Sequence, residues 1–353
     1  MPRVQGGTRA GSRRVPWRLG ALAVLGALLL AGCATSGGSD AAGSLTVYSG
    51  QHVQTTQKLV KAFEAQTGIP VNLRSDDEDV LADQIATEGS HSPADVFFTE
   101  NSPPLQYLAS KDLLSHVDPA TLANTPARFN SPDGKWVGVS ARVSVLVYNT
   151  SLLKPSELPT SVKDLAEPQW AGRIAIAPGE TDFQPVVTSV ARAYGEQAAL
   201  HWLEGVKANL QGHSYADNET ITAQVNAGRV PLGLINQYYW YRMAAEVGPG
   251  NVHSAIATFA PHDPGYVVDV SGAGILASST HQVQAQRFVA FLTSKEGQEI
   301  IAHSDSFEYP IASGVTTAQH ETPFDRLEPS GTTVAELGTG AEAVRLLQEA
   351  QLL

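Results

Sequence analysis

Residues 45–114 alternate between short apolar segments typical of strands and segments with helical periodicity. The predicted strands are 45–48, 69–73 and 94–98, and the predicted helices are 55–66, 79–88 and 105–114. A β-α-β-α-β order of this kind favours a parallel sheet covered by helices, which restricts the chain to the α/β class.

An extended segment at 136–148 is longer than the strands before it, and Val143, Val145 and Val147 alternate along it. A strand of this length is suited to leave one lobe and enter a second, which would begin near Val143. The segment 266–270 is the candidate return strand. Later elements are predicted as strands at 173–177, 230–235 and 254–259 and as helices at 186–210, 220–226, 281–301 and 334–352, the last with a glycine break. Because the chain exceeds the size of one typical core, we expect two lobes joined by two crossover strands that form a hinge.

The N-terminus has the features of an export signal. Residues 1–32 contain five arginines and no acidic residue, and they end in the apolar run Leu19–Leu30. This run is short for a membrane span and is typical of a signal peptide. It is followed by Leu30-Ala31-Gly32-Cys33, which matches the bacterial lipobox. We therefore predict that residues 1–32 are removed, that Cys33 is lipidated, and that residues 33–43 form a flexible tether to the outer face of the cell membrane.

Charge and cysteine content exclude several classes of function. The formal net charge is −12, and without residues 1–32 it becomes −17, from 18 basic against 35 acidic residues. This balance disfavours nucleic acid as a partner. Cys33 is the only cysteine, which excludes intramolecular disulfides, CxxC redox motifs and cysteine zinc sites. The catalytic motifs HExxH, GxSxG and GxxxxGK are absent from the sequence, so we do not expect an enzyme.

Two adjacent tyrosines, Tyr238 and Tyr239, lie where the predicted strand 230–235 passes into a helix, with Asn236 as a candidate N-cap. Neighbouring side chains in a first helical turn point about 100° apart, so both phenols can reach one object. Phenolates are hard anionic oxygen donors that suit a hard cation such as Fe³⁺. The alternative is that these aromatics pack in a core or an interface.

Polar side chains also follow the first and third predicted strands, where ligands bind in open α/β sheets. His52 follows the first strand and Glu100 the third, both in the first lobe, whereas Tyr238 and Tyr239 lie in the second. With a neutral imidazole, one carboxylate and two phenolates these residues contribute −3, which balances Fe³⁺. Taken singly, His52 is also compatible with a surface or capping role, and Glu100 with a carboxylate at a helix N-terminus.

The chain resembles the ferric-ion-binding proteins of bacterial ABC iron transporters, the bacterial transferrins, over nearly all of its mature length. The segments that carry the resemblance are 47–52, 92–100, 168–173, 236–241 and 262–265. The motif Asn236-Gln237-Tyr238-Tyr239-Trp240-Tyr241 is specific, while the strand motifs are shared with other solute-binding proteins. The resemblance implies a type II periplasmic-binding fold with the ligand in the cleft between two lobes.

The resemblance further implies that His52, Glu100, Tyr238 and Tyr239 bind Fe³⁺ as the transported ligand, and that an exogenous anion and water fill the remaining positions. It implies delivery to an ABC permease by a protein that we expect to be a monomer. The lobes are predicted as 44–142 with about 268–315, and 143–267 with about 316–353.

One departure concerns the anion. The family often has a Ser/Gly/Ala turn that holds the anion, and at that position this chain reads Pro178-Gly179-Glu180-Thr181-Asp182. The carboxylates in this segment would repel an anion. Glu180 or Asp182 could supply a ligand instead. The candidate residues for the anion or an extra ligand are Asn101, Gly179, Glu180, Thr181, Asn218 and Asn236.

Two alternatives stay open from the sequence. One is a binding protein for another solute, such as an organic anion, a phosphonate or a polyamine. The other is a secreted metal-dependent hydrolase with Glu180 as the general base. The pair His262-Asp263 could belong to such a site, but its flanking prolines favour a structured loop.

Overall fold

The computed structural model describes residues 43–320 and 322–353. The predicted signal peptide, most of the tether and Cys33 lie outside the described residues. Within them the strands are β1 (Leu45–Ser49), β2 (Val71–Ser75), β3 (Val96–Thr99), β4 (Leu114–Ser115), β5 (Trp136–Asn149), β6 (Ile174–Ala175), β7 (Leu232–Asn236), β8 (Ser254–Ala257), β9 (Val268–Leu276) and β10 (Tyr309–Pro310). The helices are α1 (Val53–Thr67), α2 (Glu78–Glu88), α3 (Ser102–Ser110), α4 (Pro119–Leu122), α5 (Gln184–Tyr194), α6 (Glu196–Leu210), α7 (Asn218–Asn226), α8 (Gln237–Val247), α9 (Gln282–Leu292), α10 (Lys295–Ala302), α11 (Val334–Leu337) and α12 (Ala341–Glu349).

The strands follow the order β2-β1-β3-β9-β5-β7-β6, with β4 beside β9 and both β8 and β10 beside β5. Strands β1, β2 and β3 are mutually parallel, as the alternating pattern predicts. Strand β9 runs antiparallel to both β3 and β5. The carboxyl ends of β1 and β3 therefore lie side by side, which places the residues that follow them next to each other.

Strand β5 connects two parts of the sheet. Its first part, from Trp136 to Val143, pairs with β9, and its second part, from Ser144 to Asn149, pairs with β7 and β8. The entire strand is buried, because neighbouring strands and helices cover it. The change of partner falls at Val143 and Ser144, the position at which the sequence predicted a crossover.

Two predicted long helices are each divided in the structure. The segment 186–210 forms α5 and α6, which are separated by Gly195 at a φ of +88°, a conformation that glycine adopts without steric cost. The segment 281–301 forms α9 and α10, and Ser294 caps α10 by accepting a hydrogen bond from the backbone N–H of Gly297 at 3.2 Å. The predicted helix 105–114 ends at Ser110, because Asp112 has a φ of +57° and Leu114 enters β4.

Hydrophobic side chains cover both faces of the part of the sheet formed by β1, β3 and β9. On one face α1 and α9 pack together, and the rings of Phe63 and Phe288 meet edge to face with centroids 5.0 Å apart. The other face packs into a larger apolar cluster, which also includes side chains of β5, β6 and β7. None of the helices in the described part of the chain is long and apolar enough to cross a bilayer.

Candidate functional site

His52 and Glu100 form an ion pair at the ends of β1 and β3. His52 is the N-cap residue of α1, and Glu100 directly follows β3. Because these strands are parallel neighbours, the two side chains meet, with His52 Nδ1 2.7 Å from Glu100 Oε1. His52 Nε2 is buried and has no hydrogen-bond partner among the described residues. One imidazole nitrogen thus remains free to bind a ligand.

The pKa values of this pair shift in opposite directions. Burial acts to lower the pKa of His52, but the charge and hydrogen bond of Glu100 outweigh it, so the pKa of His52 rises above its usual value. Burial acts to raise the pKa of Glu100, but His52, followed by Arg142 and Arg242, holds it below its usual value. Glu100 is therefore ionised at neutral pH.

Tyr238 and Tyr239 occupy the first turn of α8, which begins where β7 ends. Both side chains are buried, and their ring centroids lie 4.1 Å apart. The ring of Tyr238 meets the ring of His52 nearly edge-on at 5.0 Å, and its hydroxyl lies 3.4 Å from Glu100 Oε2. The four residues that the sequence singled out as iron ligands thus lie at one place in the fold.

Asp182 lies between the two phenols. The hydroxyl of Tyr238 donates to Asp182 Oδ2 at 2.9 Å, and the hydroxyl of Tyr239 donates to the same oxygen at 2.8 Å. Asn101 Nδ2 donates to Asp182 Oδ1 at 3.0 Å, and Asn218 Nδ2 donates to Oδ2 at 3.4 Å. The sequence left open whether Glu180 or Asp182 reaches the site, and in the structure it is Asp182 that contacts the tyrosines.

Both phenols are protonated donors in this arrangement. Burial raises the pKa of Tyr238 and Tyr239 well above the usual value, and the charge of Asp182 raises both further. Arg142 opposes this for Tyr238, because its guanidinium carbon lies 5.6 Å from the ring centroid. A cation that converts them to phenolates must therefore displace two protons.

The other candidate residues are distributed around this centre. Thr181 Oγ1 accepts from Asn101 Nδ2 at 3.2 Å, and Gly179 lies on the cleft wall. Asn236 is buried beside Asp182 and precedes α8, but its side chain makes no capping hydrogen bond. Glu180 lines the cleft, where burial and then Asp182 and other carboxylates raise its pKa to about 8.

Glu78, the first residue of α2, is a site residue that sequence reasoning did not identify. Its Oε2 accepts the backbone N–H groups of Glu100 at 2.8 Å and Asn101 at 2.9 Å, and its Oε1 accepts Asn101 Nδ2 at 2.9 Å. A Cβ atom at Gly50 would lie 2.4 Å from the Cβ of Glu78, so this close approach requires glycine. Glu78 is buried and holds the segment that carries Glu100 in place.

A buried ion pair lies behind the tyrosines. Arg142 on β5 donates to Glu308, and each side chain is 1% exposed. Glu308 also accepts hydrogen bonds from Ser140 Oγ at 2.8 Å and Gln51 Nε2 at 3.0 Å. The network thus extends to Gln51, which is the residue before His52.

The His262-Asp263 segment is a structured loop, because Asp263 accepts hydrogen bonds from the backbone N–H groups of Val162 at 3.0 Å and Gly265 at 2.8 Å.

A cleft of about 640 Å³ opens beside the site. Of the described residues that line it, seven are acidic and one is an arginine: Asp76, Asp77, Glu78, Asp79, Glu100, Glu180, Glu219 and Arg242. Within the described residues, no group of three or more His, Cys, Asp or Glu side chains is placed to hold a metal ion. A metal at this position would therefore need the tyrosine oxygens as ligands.

Comparison with known proteins identifies the family. Residues 91–332 match the family model described as bacterial extracellular solute-binding protein. The chain belongs to this family. It is 38% identical over 330 residues to the Fe(3+)-binding periplasmic protein of Serratia marcescens, covering 93% of this chain and 97% of the relative. It is also 38% identical over 323 residues to the major ferric iron-binding protein of Neisseria meningitidis serogroup B, covering 91% and 97%.

Solved structures show the same fold. Iron-bound HitA from Pseudomonas aeruginosa superimposes with a TM-score of 0.82 at 41% identity, over 87% of this chain and 99% of that chain. The Trichodesmium protein IdiA (FutA), solved with iron and citrate, gives a TM-score of 0.77 at 29% identity, over 87% and 99%. The predicted type II two-lobed α/β fold and the resemblance to ferric-ion-binding proteins are thereby confirmed. These relatives are binding proteins and not enzymes, which removes the support for a hydrolase.

Proposed function

We propose that this protein captures Fe³⁺ with His52, Glu100, Tyr238 and Tyr239 and delivers it to the permease of an ABC importer. The observation that carries the proposal is the meeting of an imidazole, a carboxylate and two buried phenols at the ends of three strands. The names of the relatives from Serratia and Neisseria support the choice of ferric iron.

The chemistry of the site fits a hard trivalent cation. Each ligand is a nitrogen or an oxygen, and each phenol that loses its proton adds one negative charge. Glu100 and two phenolates supply −3, so a bound Fe³⁺ is neutralised in a buried position where an uncompensated charge would be costly. The buried, unpartnered Nε2 of His52 offers a further donor.

We also propose how the protein is organised and located. Residues 1–32 direct export, and a lipid on Cys33 with the tether 33–43 holds a monomer at the outer face of the cell membrane. The lobes comprise 44–142 with about 268–315 and 143–267 with about 316–353. With His52 and Glu100 in the first lobe and the tyrosines in the second, binding to both lobes favours a closed form. The change of partners within β5 supports a hinge at Val143.

The test is the colour of the iron complex. Phenolate bound to Fe³⁺ gives a visible charge-transfer band, so the purified protein should become coloured when it binds iron. Tyr238→Phe and Tyr239→Phe each remove one oxygen and keep the ring. Each should weaken iron binding and shift the band, and the double variant should lose both the colour and tight binding.

Tyr107→Phe is the matched control, because Tyr107 is a half-buried tyrosine on α3, outside the cleft. It should leave the band and the affinity unchanged. A coloured, tightly binding Tyr238→Phe/Tyr239→Phe double variant would refute the proposal and leave the tyrosines as packing residues.

A polyamine is the second candidate, because the cleft is rich in carboxylates. Calorimetric titration with spermidine distinguishes the two. Tight binding of spermidine together with no coloured iron complex would favour the polyamine.

A further inference from the structure

We propose that a second cavity, located at the hinge, binds a small aromatic carboxylate and thereby favours the compact form of the protein. The cavity has a volume of about 210 Å³ and lies against Val268, the first residue of β9. Val268 pairs with Val143, the position at which β5 changes its partners. Among the described residues, none lines both this cavity and the cleft beside the tyrosines, so the two sites are separate.

The two walls of the cavity come from distant parts of the chain. Arg128 and Phe129 form one wall, within the segment predicted as the first lobe. Residues 329–334 form the other wall, in the segment predicted as the second lobe. The backbone N–H of Ser330 donates to the carbonyl oxygen of Tyr266 at 2.6 Å, which attaches this wall to the second lobe. A molecule that contacts both walls therefore joins the two predicted lobes.

Arg128 supplies the only charge among the described residues that line the cavity. The residue is exposed, and its guanidinium makes no ion pair or hydrogen bond with another described residue. Its guanidinium carbon lies 4.7 Å from the centroid of the Phe129 ring. A guanidinium can bind a carboxylate through two parallel hydrogen bonds. An anion that enters this cavity thus meets an unpaired cation, whereas the lining of the cleft is dominated by carboxylates.

The rest of the lining determines the body of the ligand. Phe129, Phe324, Leu327 and Val334 provide apolar surface, and the rings of Phe129 and Phe324 lie 5.7 Å apart at an angle of 53°. Rings inclined in this way offer edges and faces to a third ring. Pockets for drug-sized ligands measure about 300–1,000 Å³, so this smaller cavity takes a smaller molecule. A monocarboxylate of the size of benzoate fits these properties. Acetate lacks the apolar body, and citrate carries more negative charge than one arginine balances.

The position of the cavity links its ligand to the conformation of the protein. A molecule that contacts both walls stabilises the arrangement in which the walls are this close together. In the same arrangement His52 and Glu100 lie beside Tyr238. A ligand shifts an equilibrium towards the state that it binds better, so a carboxylate in this cavity should favour the compact form even when no iron is present.

Isothermal titration calorimetry of the iron-free protein with sodium benzoate tests the site. We expect saturable binding of benzoate, and none at the same concentrations of benzamide, which keeps the ring without the charge, or of acetate. Arg128→Gln removes the cation and should weaken benzoate binding about tenfold or more, because hydrogen bonds to charged groups are lost. Arg287→Gln is the matched control, because Arg287 is exposed on α9 and does not line the cavity, and it should bind benzoate as wild type does.

Small-angle scattering then measures the radius of gyration of the iron-free protein, which should decrease when benzoate is added to saturation. No saturable binding of benzoate, or equal affinity of wild type and Arg128→Gln, would overturn the site. A radius of gyration that does not change while benzoate is bound would overturn its effect on the conformation. A protein that binds benzoate in this way but forms no coloured iron complex would contradict the proposed function alone, since none of these measurements uses iron.

Discussion

Replacing Glu308 by glutamine should destabilise the protein strongly, although Glu308 lies outside the ligand set. Glu308 is 1% exposed and neutralises Arg142, which is also 1% exposed. Its two oxygens accept from Arg142, Ser140 and Gln51. A glutamine presents an NH₂ group to at least one of these donors. It also removes the carboxylate with which the guanidinium pairs, so Arg142 keeps only the weaker electrostatic attraction of groups such as Glu100 and Asp182.

The magnitude follows from the burial of the pair. Removing one partner of a buried ion pair costs about 3–5 kcal/mol, because the other charge remains buried and uncompensated. With an unfolding entropy of about 2.1 cal/mol/K per residue, roughly 310 folded residues give about 650 cal/mol/K. The expected drop in Tm is therefore about 5–8 °C.

Differential scanning calorimetry of Glu308→Gln measures this drop, and the double variant Arg142→Met/Glu308→Met is the control. Replacing both charges with apolar side chains removes the uncompensated charge, so the double variant should be more stable than Glu308→Gln alone. A Tm within about 1 °C of wild type for Glu308→Gln, where about 5–8 °C is expected, would refute the reasoning. So would a double variant that is less stable than the single one.

Three further predictions concern protons and the lipid. Near neutrality, iron affinity should fall on acidification by about two log units per pH unit, because binding releases two phenol protons. Below the raised pKa of His52 the slope should be about three, because a proton must also leave the imidazole. A slope under about one would contradict phenolate ligation. Burial raises the pKa of Asp269 from 3.8 to about 6, so its contribution to stability is fully present below pH 3.8 and is lost as the pH rises through 6. Urea unfolding at pH 4 and pH 7 should show a loss of about 2 kcal/mol in wild type relative to Asp269→Asn, and equal pH dependence of the two would contradict it. Cys33→Ser should leave an unlipidated protein by mass spectrometry, and a wild-type protein without acyl mass at Cys33 would contradict the lipobox assignment.

The sequence predicted the fold and the convergence of four side chains because both depend on regular features. Strand and helix periodicity located β1, β3 and β7, and the rule that ligands bind at strand ends placed His52 and Glu100 together. The errors fell at helix breaks such as Gly195, because one glycine within a long helical pattern does not by itself show that the helix ends there.

The contacts that the sequence did not reveal are long-range and follow no periodicity. Arg142 and Glu308 are 166 positions apart, and Glu78 reaches Asn101 across 23 positions. For Asp182, the sequence supplied a carboxylate near the site but not the direction in which it points. That direction depends on Asn101, Asn218 and the turn before α5, which only the folded chain brings together.

The placement of β9 between β3 and β5 sets an order of folding. Thr99 on β3 pairs with Gly272 on β9, and the two are 173 positions apart. Until residues 268–276 have been synthesised, β3 carries an open edge that can pair with other chains. Closing so long a loop also makes this pairing slow. A chain that emerges N-terminus first therefore cannot cover the edge of β3 until residues 268–276 have appeared. During that interval the exposed edge makes the chain prone to aggregation.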